Sequence, residues 1–318
     1  MSVLYLTEAD VERLLDVPTA IEAVKEAFRR MAAGEATTVP RVRAVSKGIV
    51  LHTMSAAAAY LGLVGWKCYT STRGGARFQV GLYDATSGDL VAMIEADRLG
   101  QLRTGAATAV AVEWLAAPEA TEVGLFGSGH QAQTQLACVA AARPLRRAFV
   151  YSRSEERREA FAKRMSAELR IEVVPVDRPS EAVEDLPIVV TATSSTQPVF
   201  DGTALSEGAL VCAMGSNWLS KAEIDTHVLR RADNIVCDSI AACRNEAGDF
   251  VDALEKGIFQ WDRAVELADV VAGRAVGRSR LESVVVFKSV GLAIEDVAVG
   301  ARVLECARAQ GVGVSLPF

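Results

Sequence analysis

From Pro118 onward the chain alternates short apolar runs with longer polar-apolar ones. EVGLFG is followed by GHQAQTQLACVAAA, then RAFVYS, SEERREAFAKRMSAEL and IEVVPV. Strand, helix, strand in that rhythm forces neighbouring strands to run parallel, because each return needs a helix on a sheet face. Further buried strands are expected at IVVTAT, ALVCAMG and NIVCDS, which extends a doubly wound parallel sheet over about residues 117–285. The segment SVVVFKSVGLAIEDVAVGARVLECARAQG reads as a strand entering a helix that returns to the first domain.

The residues before Pro118 have another texture. Thr7 with Asp10 marks a short capped helix, and Pro18 opens a second whose apolar face carries Ile21, Val24, Ala27, Phe28 and Met31 up to Gly34. Between Val39 and Glu95 come β-rich runs separated by turns, an antiparallel sheet in outline. Asp97 then leads into an alanine-rich helix that stops before Pro118. The expected fold class is α/β: a Rossmann-type parallel-sheet domain over 117–285, plus a discontinuous α+β substrate and dimerisation domain of residues 1–116 completed by 286–318.

In EVGLFGSGHQAQTQLA, Gly127, Gly129 and Ala132 form G-x-G-x-x-A directly after a strand and at the opening of a helix. Gly127 permits the tight turn, Gly129 lets backbone approach a pyrophosphate, and Ala132 permits close packing of helix on sheet. The helix start, with Ser128, His130 and Gln131, would receive the phosphates of a dinucleotide. At the end of the next strand stand Ser152 and Arg153, where an acidic residue would grip the ribose of NAD; a guanidinium there suits a 2′-phosphate and favours NADP over NAD. Thr191, Ala192 and Thr193, with Met214, Gly215 and Ser216, end later strands and are expected to line the same crevice.

Three cations in the first domain have apolar or small neighbours: Lys67 in LVGWKCYT, Arg103 in LRTGAATAVAV, and Arg41 or Arg43 in VPRVR. A buried ammonium is costly unless it meets a carboxylate, and burial lowers its proton affinity toward values useful in general acid catalysis. A buried arginine suggests a bound anion, and a snorkelling surface cation is the plainer alternative for each.

The P-R pair, the isolated lysine, L-R-T-G-A, G-S-G-x-Q-A, T-A-T, G-S-N-x(5)-E-I-D and F-K-S-V-G-L-A-I-E-D together resemble the ornithine cyclodeaminase/mu-crystallin family, from Pro40 to Asp296. The resemblance implies a homodimer in which a split substrate domain makes the dimer contact and a Rossmann domain holds NAD(P). It also implies that Arg41, Lys67 and Arg103 hold and polarise the carboxylate and reacting nitrogen of a small anionic imino or amino acid. Arg41 is preferred to Arg43 because the family arginine sits beside the proline, and Lys288 is assigned to the cofactor site. Cyclodeaminases of the family carry an aspartate where this chain has Asn217. An amide orients a substrate but cannot accept a proton, which favours reduction of an α-imino acid, or its reverse, over cyclising deamination. An NADP-keeping ligand-binding protein is the third alternative.

Composition narrows the class further. With 34 basic and 40 acidic residues the net charge is −6, so no diffuse positive field exists for nucleic acid or an anionic membrane. No stretch approaches the ~18 uninterrupted apolar residues of a membrane span. Six scattered cysteines without a C-x-x-C pair suggest a reducing, cytoplasmic setting, and three histidines give no metal-ligand spacing.

Overall fold

The computed structural model describes residues 2–317. In chain order the first elements are β1 (Ser2–Leu6), α1 (Glu8–Leu14), α2 (Val17–Ala32), β2 (Ala36–Ser46), β3 (Ile49–Ala58), β4 (Leu63–Thr72), β5 (Gly75–Asp84), β6 (Leu90–Glu95) and α3 (Asp97–Leu115). There follow β7 (Glu122–Phe126), α4 (His130–Ala142), β8 (Arg147–Tyr151), α5 (Glu155–Leu169), β9 (Glu172–Pro175), β10 (Ile188–Thr191), β11 (Leu210–Ala213) and α6 (Thr226–Arg231). The last are β12 (Asn234–Cys237), α7 (Ile240–Glu246), α8 (Val251–Glu255), β13 (Ala264–Glu266), α9 (Leu267–Val271), β14 (Val285–Lys288), α10 (Ala293–Gln310) and β15 (Val314–Pro317).

Two compact units result, one of residues 1–106 with 292–318 and one of residues 107–291. The first division falls inside α3, earlier than the expected boundary at 116/117. The second falls after β14 rather than at 285, because β14 is an interior strand of the parallel sheet, paired with β11 and β12.

In the first unit seven strands lie in the order β15-β1-β6-β5-β4-β3-β2. The antiparallel ladder from β2 to β6 follows the alternating sequence; β1, parallel to β6, and β15, antiparallel to β1, add an edge that the alternation did not announce. Thr7 caps α1 in a capping box with Asp10, and Asp16 caps α2 with Pro18 in its first turn. One sheet face is buried: Met54, Lys67, Val80 and Ile94 pair across four strands, as do His52, Tyr69 and Phe78 across three. Helix α10 packs on that face, and Gly65 is glycine for this reason, since a Cβ there would lie 2.8 Å from Val297 Cγ2.

The second unit is an eight-stranded parallel sheet, β13-β12-β14-β11-β10-β7-β8-β9. The chain runs outward from β7 through β8 to β9 and resumes at β10 on the other flank of β7, which makes a topological switch point beside β7. The central strands β7, β10, β11 and β14 are four-residue to five-residue runs of almost wholly buried side chains, as expected of strands covered on both faces.

Candidate active site

Chemistry-bearing residues gather in two places, one in each unit. In the first unit Lys67 projects from the middle of β4 into the buried face. Its ammonium is 2.7 Å from Asp296 Oδ1, with the lysine side chain 2% and the aspartate 0% exposed. Gly100 of α3 leaves space beside it: a Cβ there would lie 3.2 Å from Nζ. Arg103, three residues on and so on the same face of α3, donates from Nε to Asp296 Oδ1 at 3.1 Å and from Nη1 to Glu295 Oε2 at 2.9 Å. Burial, with help from the Arg103 charge, pushes the Lys67 ammonium down to about 8; Asp296 opposes them. Burial also works against the Arg103 cation, but Asp296 and Glu295 outweigh it and hold its proton affinity above the usual value.

Arg41 owes its place to a bulge. Val39 pairs with Ser55 and Val42 with Thr53, so Pro40 and Arg41 together oppose Met54. Proline has no N–H to give the ladder, and an extra residue at that point resolves the mismatch. Arg41 is buried and lies 5.9 Å from the Tyr69 ring centroid, whereas Arg43 is half-buried opposite His52. Both guanidiniums reach His52: burial first, then Arg43 and Arg41, push the imidazole down to about 4, so it is neutral at physiological pH. Its ring stacks on Tyr69 at 4.1 Å, and its Nε2 lies 2.9 Å from Ser71 Oγ.

In the second unit a cleft of about 540 Å³ opens at the carboxyl ends of β7, β8 and β10. Of the residues expected there it is lined by Gly127, Ser128, Gly129, His130, Gln131, Ser152, Arg153, Ala192 and Thr193, and also by Arg157. Gly127 has φ +116°, and a Cβ would come 2.5 Å from Ala192 O, so the turn demands glycine. Gly129 is the N-cap of α4, offers no side chain to the helix amides, and a Cβ on it would meet nothing within 4 Å. Bare amides beside open space are what a dinucleotide phosphate needs, so these residues fit NAD(P). Ser128 Oγ donates to Ser152 Oγ at 3.0 Å, tying the glycine turn to the end of β8. Ala132 is fully buried, as its packing role requires.

The remaining expected residues lie outside that lining. Thr191 is buried and donates to Glu223 Oε2 at 2.8 Å. Met214 and Asn217 are half-buried, Gly215 is exposed and Ser216 is buried, all after β11. Lys288, expected at the cofactor, is fully buried: its Nζ lies 2.7 Å from Asp249 Oδ2 and donates to Ser216 O at 2.7 Å. Burial lowers its proton affinity, but Asp249 and then Glu223 raise it more, and the net direction is upward.

Sequence reasoning gave no role to three buried carboxylates in quoted motifs. Glu223 accepts from Thr193 N, Thr193 Oγ1 and Gly215 N at 2.6–2.7 Å, so one side chain gathers the ends of β10 and β11. Asp296 and Glu295 stood in the E-D pair, and their signal was the cost of burying Lys67 and Arg103 without anions. Among the described residues, ligand atoms of Asp201, Asp225 and His227 lie within 4.8 Å of one another, a grouping the histidine spacing did not suggest. Both aspartates there already serve as caps, Asp201 for Thr203 N and Asp225 for Val228 N.

A glycine-turn nucleotide cleft on a doubly wound sheet, and a buried lysine-arginine cluster in a discontinuous second unit, define an α/β protein of the dinucleotide-dependent amino acid enzyme type. The chain belongs to the ornithine cyclodeaminase/mu-crystallin family, whose model matches residues 1–311. It is 34% identical to a delta(1)-pyrroline-2-carboxylate reductase of Bacillus cereus over 74% of this chain and 73% of that one. It is 31% identical to an alanine dehydrogenase of Archaeoglobus fulgidus, covering 100% of this chain and 99% of that one. The Thermococcus litoralis delta(1)-pyrroline-2-carboxylate reductase, solved with NADH and L-proline, superposes with a TM-score of 0.94 at 30% identity over 99% of this chain and 100% of that one.

Proposed function

We propose that this chain is an NAD(P)H-dependent oxidoreductase that reduces an α-imino acid, or runs the same chemistry backward as an amino acid dehydrogenase. The observation that carries this reading is the buried Lys67, held near a proton affinity of about 8 within reach of Arg103. A proton donor for a C=N nitrogen must be charged at neutral pH yet able to give up its proton, and Lys67 meets both conditions. Arg41 and Arg103 hold the substrate carboxylate; Lys67 delivers a proton to the nitrogen as the carbon receives hydride. The turn from Gly127 to Gln131 would hold the phosphates of a dinucleotide, which when bound would supply that hydride. Relatives that reduce pyrroline-2-carboxylate or are named for alanine support this substrate class.

NADP is the preferred cofactor on this reading, because Arg153 and Arg157 line the cleft and no carboxylate does among the described residues. A homodimer is supported by the outer face of the first unit's sheet, where Val39, Val42, Ile49, Leu51 and Val64 are exposed together. No helix among the described residues is long and apolar enough to cross a membrane, and all six cysteines are free, which accords with a cytoplasmic setting. Asn217 disfavours the cyclodeaminase reaction.

The test is a screen of cyclic imines, and of imines formed from 2-oxo acids with ammonia or methylamine, against NADPH and NADH. Oxidation of cofactor with one of these supports the proposal. Conversion of ornithine to proline and ammonia without net NADH would replace it with the lyase reading, and tight ligand binding with no turnover would replace it with the binder.

A further inference from the structure

Asp296 and Glu295 have no part in the substrate and cofactor contacts assigned above, yet both are carboxylates without exposed surface, which is costly to bury. Adjacent carboxylates with no exposed surface stand in the first turn of α10, whose N-cap, Leu292, contributes no side-chain hydrogen bond. The positive end of the helix and two cations offset their desolvation. The division between them is unequal. Glu295 Oε2 accepts from Arg103 Nη1, whereas Asp296 Oδ1 lies 2.7 Å from Lys67 Nζ and accepts from Arg103 Nε at 3.1 Å. Asp296 Oδ2 is buried and makes no hydrogen bond among the described residues.

The groups facing the Lys67 ammonium come from every neighbouring element. They are Asp296, with Glu295 beside it, from α10; Arg103 from α3; Arg41 from β2; His52 from β3; Tyr69 on β4 itself; and Phe78 of β5, whose ring centroid is 5.4 Å away. Arg103 and Arg41 repel an added proton on Lys67, His52 is neutral, and Asp296 is the anion in direct contact.

We infer that Asp296 is a positioning residue for proton transfer: one carboxylate oxygen holds both the acid, Lys67, and the anion clamp, Arg103, and so fixes their mutual geometry. This rests on the reading of Lys67 as proton donor. The same contact has an electrostatic consequence. Burial and the two arginines favour neutral Lys67, and Asp296 is the group that keeps it charged at the pH where it must donate. Glu295, which secures Arg103 but not Lys67, separates the clamp from the acid.

The experiment compares Asp296→Asn, Asp296→Glu and Glu295→Gln with the unaltered protein. Two quantities are read in each: the pH profile of kcat/KM with the best imine, and the titration midpoint of Lys67 followed by NMR in protein carrying 13Cε-lysine, the resonance being assigned with Lys67→Met. Asp296→Asn is expected to move the basic limb and the midpoint down together by ~1 unit or more, lowering kcat at pH 8 by ~5-fold or more, as loss of a contacting opposite charge implies. The KM should change far less, because Glu295 still holds Arg103. Asp296→Glu restores part of the shift, and Glu295→Gln leaves the Lys67 midpoint within a few tenths of a unit.

An unmoved midpoint in Asp296→Asn, or equal shifts from Asp296→Asn and Glu295→Gln, overturns the inference. Should Asp296→Asn fail to fold, the Asp296→Glu midpoint decides, since the longer side chain cannot keep the 2.7 Å contact unaltered. If the unaltered protein reduces no imine while the NMR shift occurs, the proposed reaction fails and the coupling of Asp296 to Lys67 stands.

Discussion

Among the described residues two lysine-aspartate pairs are buried, Lys67 with Asp296 and Lys288 with Asp249, each at 2.7 Å and each virtually without exposed surface. Their proton affinities move in opposite directions. Around Lys67 the further neighbours are cations, Arg103 and Arg41, and the ammonium falls to about 8. Around Lys288 they are acids, Glu223 above all, and the ammonium rises. Burial and a contacting carboxylate are common to both; the second ring of charge decides whether a buried lysine can let go of its proton or is locked in its charged form. The first arrangement suits chemistry. The second suits a tie-rod, and Lys288 does hold the carbonyl of Ser216 in the loop that carries Asn217.

Removing each lysine should break the two pairs differently. Lys67→Met is expected to cut imine reduction by roughly 10²–10⁴-fold while leaving the circular dichroism spectrum and NADPH binding close to those of the unaltered protein. Retained turnover would remove Lys67 from the role of acid. Lys288→Met should instead act on stability, by about 3–5 kcal/mol in chemical denaturation, because it strands the Asp249 charge in the interior. Adding Asp249→Asn, which removes the charge while its Oδ1 can still accept from Glu223 N and Ile224 N, should recover much of that loss, and a double variant as unstable as the single one would show that the pair is not what matters.

The pH dependences sharpen the contrast. Reductase kcat/KM should fall about tenfold per pH unit above about 8, as Lys67 loses its proton. The stability contributions run with opposite sign. Between about 8 and the ordinary lysine value of 10.5 the unfolded chain binds the proton that folded Lys67 has lost, so this residue makes unfolding harder as pH rises. Lys288, raised above 10.5, contributes stability that is present below that value and lost as pH climbs through its raised one. An activity profile flat to pH 10 would contradict the assignment of Lys67. The smallest effect expected lies in the other cleft: Arg153→Ser should lower kcat/KM for NADPH several-fold with little change for NADH, Arg157 retaining part of the 2′-phosphate contact. A larger loss with NADH would contradict the NADP preference.

Much of the architecture could be read directly from residues, where the governing rule is local. The glycine turn was legible because Gly127, Gly129 and Ala132 have fixed spacing between a strand and a helix. The meander from β2 to β6 was legible from alternation. The edge made by β1 and β15 was not, since Ser2 pairs with Pro317 and no pattern links the two ends of a chain. The site divides in the same way. Lys67 and Arg103 stood out as cations among apolar neighbours, but Glu295 and Asp296 looked like ordinary acids in a first helical turn, which favours them on any surface. The partner of Lys288 could not be read from the sequence, since a single turn at Gly248–Phe250, far from it in the chain, brings Asp249 to meet it.

The irregularity at Pro40 and Arg41 links two traits that proteins ordinarily adjust one at a time. Because two residues of β2 oppose Met54, Arg41 and Arg43 both turn inward while Val39 and Val42 both turn outward. Were the pairing to run straight through Pro40, the frame would slip by one, sending both guanidiniums to the outside and Val42 to the inside. On the proposed reading of Arg41 and of the outer face, anion capture and self-association would then drift together, governed by whether one backbone position lacks a hydrogen.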